Sequence, residues 1–589
     1  MKVSKLSTAI LVALTANQAY ATTELKQVVV TANKTSQTLE QITSNVHIIT
    51  SEEIEAKHYK SITEALNEVS GISFTRNGGL GTSTSVFLRG SSTNRVLVLI
   101  DGVRTNDPTS TAGSDFSHIA MANIERIEII KGAQSGVWGS DAAAGVINII
   151  TKDNKITEVT TEIGSYGTQK LSLSTGKKIN DVTFSFSAQR LETDGFSSQA
   201  PAGTDIDLYE DDPYKSTNVI AKIKYDITPN SSIALSHNYT DTDASYDGWN
   251  APDSTQRSTS LTNLTNLTLK RNNTNIALQQ SLFEVEQLDS SSKDLVEGKV
   301  QSVQITHQIN SLLLGAEHLV NTADIDKSGT QNSESTNANS IFGTNTHSAG
   351  NFTFNEALRW DSYSNFDAEV TGKIGVKYAI NPHHSIALNY GTAYNAPTLI
   401  EMINPWGTGN QNLEAEKSKE FSIDYSASNF RVSLFDKRIT NLIDWVDLGG
   451  WNFQPQNIDG TSKIRGYEAE YTFSFNQLDL SANYTRLVLA EQADGTALAR
   501  RPETQVGLNL NWYATSNLDF NLSGQYIGER SEGGDTQFYS VWNTSINYQI
   551  NNNTSTYFKV ANLTDVYYQV VDGYATAERS FYAGLKVNF

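Results

Sequence analysis

The chain has 589 residues, with 44 basic against 64 acidic side chains, a formal net charge of −20, 39 glycines, 10 prolines, 25 tyrosines and no cysteine. The lack of a basic footprint excludes nucleic acid as a partner, and the lack of cysteine excludes disulfides and thiolate metal sites. So acidic a surface either holds divalent cations or simply keeps the protein in solution.

The first elements are for export. Lys2 and Lys5 precede the apolar run Ile10–Leu14, and Ala19-Tyr20-Ala21 supplies a small-x-small cleavage pattern. Residues 1–21 therefore read as a signal peptide, with the mature chain beginning near Thr22. No later stretch approaches the ~18 consecutive apolar residues of a spanning helix. A membrane location would require a closed barrel, the other way to satisfy backbone groups in lipid.

Leu25–Ala32 is rich in β-branched residues and reads as extended. It is either the first strand of a compact unit or an edge left free to pair with another protein. A helix is expected over Ser61–Val69. Ser61 and Glu64 are spaced as a capping box, Ile62, Ala65, Leu66 and Val69 share a face, and Gly71 stops it.

Between Arg89 and Thr151 lie two unbroken apolar runs, Val96–Ile100 and Val146–Ile150, which read as fully buried strands. Asp101-Gly102 after the first is a strong hairpin signal. Polar, glycine-containing loops at 76–85 and 106–115 project from the same unit. The Gly-Lys pairs at 176, 298 and 372 are followed by Lys178, Val300 and Ile374, where a phosphate-binding loop needs Ser or Thr. No catalytic constellation stands out, and the chain does not read as an enzyme.

From about residue 155 the text alternates, as in Val182-Thr183-Phe184-Ser185-Phe186-Ser187-Ala188, and the polar partners are hydroxyls and amides rather than charges. That suits strands with lipid on one side and a wet lumen on the other. The remaining ~435 residues allow about 20 per strand for a 22-stranded barrel. Trp512-Tyr513 and Tyr557-Phe558 are expected in the aromatic girdles, and Phe581 to Phe589 in a last strand that closes the barrel. His383-His384 after Pro382 has no ligand-spaced neighbours and reads as a periplasmic turn.

These residues resemble a family, the TonB-dependent outer-membrane receptors, and within it the branch that takes up cobalamin (vitamin B12). The likeness is carried by residues 29–33, Phe87-Leu88-Arg89-Gly90, Val96–Arg104, Gly139–Ala142 and Gly145–Ile150. In the second part it is carried by Gly391–Tyr394, Ile464–Ala469, Arg500-Arg501, Ala561-Asn562-Leu563 and Gly573-Tyr574. The resemblance implies an all-β fold, a 22-stranded antiparallel transmembrane β-barrel over residues 155–589 with an N-terminal α+β plug domain over 37–152 in its lumen.

It also implies that the periplasmic segment 22–36 carries the box that pairs with TonB, namely Lys26, Gln27, Val28, Val29, Val30, Thr31, Ala32 and Asn33, although the family often has an acidic residue in place of Lys26. The implied activity is TonB-dependent transport of cobalamin, with a ferric siderophore or other metal chelate as the alternative cargo. Implied substrate contacts are Ser83, Thr84, Ser85, Val86, Phe87 and Ser92 from the first plug loop and Ser110 and Thr111 from the second. Tyr246, Gly248 and Arg500 would join them from the barrel. Calcium would be held by Glu210, Asp212, Asp247 and Asp253, with Ser197 standing where the family has an aspartate. The ordinary readings are turn chemistry for the plug loops and a solvated acidic loop at 205–212. Outer-membrane lipid and lipopolysaccharide complete the expected surroundings of a monomer.

Overall fold

The computed structural model describes residues 29–30, 33–201, 204–248, 250–289, 292–450, 452–531 and 535–589. The expected signal peptide, and Lys26, Gln27, Val28, Thr31 and Ala32 of the expected coupling box, lie outside them.

Alternating sequence becomes a closed antiparallel barrel of 22 strands, from Glu158–Gly164 to Ser580–Asn588. The terminal strand closes the ring by pairing with the first, Thr161 opposite Leu585. Alternation puts Ser185 and Ser187 inside while Phe184 and Phe186 stay exposed to the outside. Trp512 and Phe558 lie on the outward face as a girdle requires, whereas Tyr513, next to Trp512 on the strand, has the opposite parity and faces the lumen at the periplasmic end. Tyr557 also faces inward, 6% exposed, with its ring 3.4 Å from that of His58. The space comes from Gly584 opposite, whose missing Cβ would stand 2.2 Å from the Tyr557 ring.

Inside the barrel sits a five-stranded sheet in the order Val46–Thr50, Ile124–Lys131, Gly145–Thr151, Val96–Ile100, Val103–Arg104. The two apolar runs pair in parallel near its middle, and Val96, Leu97 and Val98 are fully buried. Asp101 and Gly102 both take positive φ, 49° and 83°, and turn the chain so that Ile100 pairs with Val103. The helix is Ile62–Asn67, shorter than the sequence suggests. Ser61 accepts from the Glu64 amide as expected, but the Glu64 carboxylate takes the Lys60 amide at 2.6 Å, so the reciprocal half of the box is displaced by one residue. Ile62, Ala65, Leu66 and Val69 are buried against the sheet.

At the N-terminal end, Val29 and Val30 pair with Thr38 and Gln37, so the edge read as free is paired within its own chain here. The next residues are tied to the barrel wall. Thr344 donates to the Asn33 carbonyl, Gln37 donates to Thr346 at 2.9 Å, and the Lys34 ammonium lies over Phe342 and 3.9 Å from Glu317.

Plug and wall are joined by buried charge. Arg89 donates to Glu468 at 2.9 Å and to Ser433 at 2.8 Å, and Lys131 donates to the same Glu468 at 3.0 Å and to the Ser70 carbonyl at 2.7 Å. Arg95 pairs with Glu416, and from the wall Lys437 donates to the Ala143 carbonyl at 2.7 Å. Glu468 is 2% exposed and serves two plug cations, so Glu468→Ala leaves Arg89 with only Glu420 at 3.4 Å and Lys131 with only Glu470 at 3.7 Å. Loss of such a partner typically costs about 3–5 kcal/mol. The expected outcome is loosening of the plug, read as faster hydrogen exchange over Ile124–Lys131, with the heat resistance of the barrel unchanged.

Candidate ligand recess and cation site

The plug turns two polar loops toward the extracellular end, where the barrel's longer connections gather. Hairpin pairing of Ile72–Arg76 with Thr84–Leu88 carries the first loop, closed by the Asn77 amide on the Ser83 carbonyl at 3.1 Å. Strand alternation decides what it can offer. Ser83 is exposed and Ser85 half-buried, while Thr84 donates inward to the Thr82 carbonyl at 2.8 Å. Val86 is fully buried, and both its amide and its carbonyl are bonded to the Thr93 hydroxyl at 2.8 Å. Thr84 and Val86 are therefore removed from the substrate set, because the pleat commits them to the plug core.

Phe87 is covered by the Arg501 guanidinium, 4.4 Å from its ring. Arg501 also donates to the Gly90 carbonyl at 3.0 Å and to the Ser92 hydroxyl at 2.6 Å. Burial, then the neighbouring charge of Arg95, holds its proton affinity down to about 9, and among the described residues no carboxylate lies within ion-pair distance of it. Such a cation is stabilised by an anionic ligand. Arg500, the expected contact, has φ +67° and its amide on the Ser531 carbonyl. The doublet Arg500-Arg501 was visible in the sequence, but nothing there indicates which member turns over the plug.

The second loop is braced by Asp107, which accepts from the Thr109 amide at 2.8 Å. Thr111 is exposed and Ser110 half-buried. A Cβ added at Gly113 would stand 3.0 Å from Asn94, so the second loop packs on the turn Thr93–Arg95 that follows Ser92. Tyr246 follows the inward-facing Thr240, Thr242 and Ala244 on the strand Ser231–Gly248 and shares their lumen-side parity. A register shift between Tyr246 and Gly248 then re-aims Asp247.

Asp247 meets Glu210 and Asp212. One oxygen from each of the three lies within 4.8 Å of the others. Asp212 accepts from the Ser198 amide at 2.8 Å, and Asp247 accepts from the Ser197 hydroxyl and the Gln199 amide, both at 2.9 Å. Each carboxylate keeps a second, buried oxygen with no hydrogen-bond partner: Oε1 of Glu210, Oδ1 of Asp212 and Oδ1 of Asp247. Burial, the contact with Asp247 and the charge of Asp212 push Glu210 up to about 8; burial pushes Asp212 up to about 6. Three converging carboxylates, each with a buried oxygen that has no donor, fit a hard divalent cation such as calcium, which takes oxygen ligands and would displace the protons. Asp253 is exposed and is not among the converging three, although its charge reaches Glu210. Ser197 and Ser198 work here as donors that orient the carboxylates, a role the sequence did not disclose.

Residues 155–563 match the family model described as TonB dependent receptor-like, beta-barrel, and residues 38–146 match that of the TonB-dependent Receptor Plug Domain. Curated relatives include the Vitamin B12 transporter BtuB of Photobacterium profundum, 28% identical over 95% of each chain. The protein of the same name from Vibrio vulnificus is likewise 28% identical over 95% of each. Among solved structures, the siderophore receptor PirA from Acinetobacter baumannii superposes with a TM-score of 0.78 at 16% identity, covering 92% of this chain and 98% of that one. The ferric enterobactin receptor PfeA from Pseudomonas aeruginosa gives 0.77 at 17%, covering 92% and 99%. At that identity the structures attest the fold alone.

The raised carboxylates set a pH dependence. Their folded-state pKa values lie above the ordinary ~4 of free carboxyls, so without a divalent cation they destabilise the loop increasingly as pH rises from about 4 through 8. A cation must displace those protons, so its affinity falls as pH drops from 8 to 5. The expected outcome is an opposite pH trend in hydrogen exchange over residues 195–201 and 204–213: protection decreasing toward pH 8 with chelator and increasing toward pH 8 with about 1 mM calcium.

Proposed function

We propose, for a chain that belongs to the TonB-dependent receptor family and lies in the outer membrane as a plugged barrel, that the cargo is cobalamin. The observation that carries this reading is the 28% identity, over 95% of both chains, to proteins named vitamin B12 transporters. The recess supports it. Ser83, Ser85, Ser92, Ser110 and Thr111 offer hydroxyls, Tyr246 offers an aromatic face and Arg501 a single cation short of an anion. Amides, a ribose and one phosphate on a large flat ring suit that set. A ferric catecholate with several negative charges would call for more free cations around the loops. The alternative cargo is a ferric siderophore or other metal chelate; the fold neighbours include a siderophore receptor and a ferric enterobactin receptor.

Calcium, held by half-buried Glu210 and buried Asp212 and Asp247, would supply the charge that lets the three carboxylates stand together. Ser197, Ser198 and Gln199 then fix the loop from the opposite oxygens. Ordering the loop beforehand removes about 0.5–1.5 kcal/mol per immobilised side chain from the binding step. Energy enters at the other end of the molecule. TonB pairs with residues 26–33, which requires Val29 and Val30 to leave Thr38 and Gln37. Tension then reaches Asn33 and Lys34, which are held to the wall.

Cobalamin titrated into purified protein should bind about tenfold or more tightly with calcium than with chelator. Asp212→Asn should erase that difference, and Arg501→Ala should weaken binding by about tenfold in either condition. Binding of a ferric siderophore without any binding of cobalamin would transfer the cargo to the alternative. Deleting Val28–Ala32 should leave binding at the cell surface unchanged and abolish uptake; uptake that persisted would place the coupling box elsewhere.

A further inference from the structure

A cavity of about 850 Å³ separates the plug from the wall along the seam where the barrel closes. On the wall side it follows lumen-facing residues of the first and last strands, among them Glu162, Lys170 and Tyr582. On the plug side it follows Lys60, Phe74 and Arg76. Its mouth lies beside Gly78 and Gly79 of the first plug loop, under Phe196 and Glu578 from outer connections, and its foot lies at Asn517 in a periplasmic turn. None of the recess hydroxyls, neither Arg501 nor any of the three converging carboxylates, lines it.

Charge in the upper part of this space is out of balance. Glu64 is taken by Lys559 at 3.1 Å and Glu162 by Lys170 at 3.2 Å. Lys60 and Arg76 remain, both half-buried on the cavity, and among the described residues no carboxylate lies within ion-pair distance of either. Lys60 lies 3.2 Å from the centre of the Tyr582 ring, which Gly164 leaves room for against the wall. Arg76 donates to the hydroxyls of Thr63 at 2.6 Å and Ser61 at 3.1 Å, neutral acceptors that fix its direction without cancelling its charge. Burial, then the charge of Lys559, brings Lys60 down to about 7, and burial lowers Arg76 from its usual value. An anion would hold both in the charged form. The other carboxylates of the lining are engaged or distant: Glu68 pairs with Lys57, Glu55 and Glu158 with Lys586, Glu52 and Asp519 stand toward the foot and Glu578 at the mouth.

Aromatic faces stand beside the two cations. Phe74 lies 5.6 Å from the Arg76 guanidinium, and the rings of Tyr539 and Tyr568, 4.6 Å apart, line the cavity half-buried. Guanidinium and ammonium groups meet phosphate with charge-assisted hydrogen bonds, and aromatic side chains stack on flat heterocycles. The volume falls within the range of small-molecule sites. We infer that the seam cavity is a second binding site, deeper than the recess, where Arg76 and Lys60 hold the phosphate ester of a nucleotide-like group against Phe74, Tyr539 and Tyr568. It rests on the cobalamin reading in one respect: the ribose, phosphate and heterocyclic base that form one arm of cobalamin make this group part of the cargo. A cargo leaving the recess then has a next foothold inside the plugged barrel, reached without passing the ion pairs that join Arg89, Arg95 and Lys131 to the wall.

Equilibrium dialysis of the full chain in neutral detergent tests the site, with adenosine monophosphate and adenosine as the two probes. Arg501→Ala is the background, because it removes the cation of the recess and leaves the two of the cavity. In that background the monophosphate should bind about tenfold more tightly than adenosine. Adding Lys60→Gln should reduce the ratio to about twofold or less, and Lys60→Arg in its place should restore it. Heat-resistant migration of each variant verifies that the barrel is folded. A preference for the monophosphate that is absent in the Arg501→Ala background, or that survives Lys60→Gln in a folded barrel, would overturn the site. Cobalamin is titrated into wild type in parallel. Cobalamin binding without the nucleotide preference removes the site and keeps the cargo reading, whereas a preference that depends on Lys60, found without cobalamin binding, supports the site and removes the cargo reading.

Discussion

Everything in this molecule follows from the requirement that no backbone group be left unpaired in lipid. Alternating strands can meet it only by closing, and the pairing of Ser580–Asn588 with Glu158–Gly164 does so. A ring of 22 strands encloses far more space than its own side chains can fill. The plug is the answer to that width, and its sheet is apolar on both faces because it is a small core enclosed by the wall. Where plug meets wall an apolar patch seats Val103 on Leu264, Phe283, Val300 and Leu319, but the contacts of closest register are polar and charged.

That polar contact decides what kind of joint it is. An apolar joint would be strong and indifferent to position. Arg89 and Lys131 on Glu468, Arg95 on Glu416 and Lys437 on the Ala143 carbonyl are strong only in register, because each lost partner leaves a buried charge. Buried ion pairs contribute modest net stability but fix geometry. The plug is thus held in one position by groups that water could solvate if it were moved, a suitable joint for a part that must yield to a pull.

The sequence made the barrel, the parallel apolar pair and the Asp101-Gly102 turn legible, because each rests on a local rule: alternation, uninterrupted burial, or positive φ. What it hid depends on partners far along the chain. Tyr557 reads as a girdle residue until Gly584 is placed opposite it. Val86 reads as part of a binding loop until the pleat turns it into the plug. Arg500 and Arg501 cannot be told apart until the loop before the strand Thr504–Thr515 is laid over Phe87. Likewise, four acidic residues were visible near the cation site, but only folding separates exposed Asp253 from the three that converge.

The convergence also ties the acidic cluster to the plug. Gly78, at φ +105°, has no room for a Cβ because Ser198 would stand 2.3 Å away, and Phe196 lies against Gly79. Ser198 is fixed on its other side, its amide on Asp212 and its carbonyl accepting from the Ala575 amide at 2.9 Å. Whatever settles the repulsion among Glu210, Asp212 and Asp247 therefore also settles the segment pressed against the first plug loop. A mobile segment there would leave Ser83 and Ser85 beneath an unformed roof, and a fixed one presents them to a ligand in a single arrangement. One group of buried carboxylates thus sets both the order of an outer loop and the shape of the recess below it, through a contact that only glycine at position 78 permits.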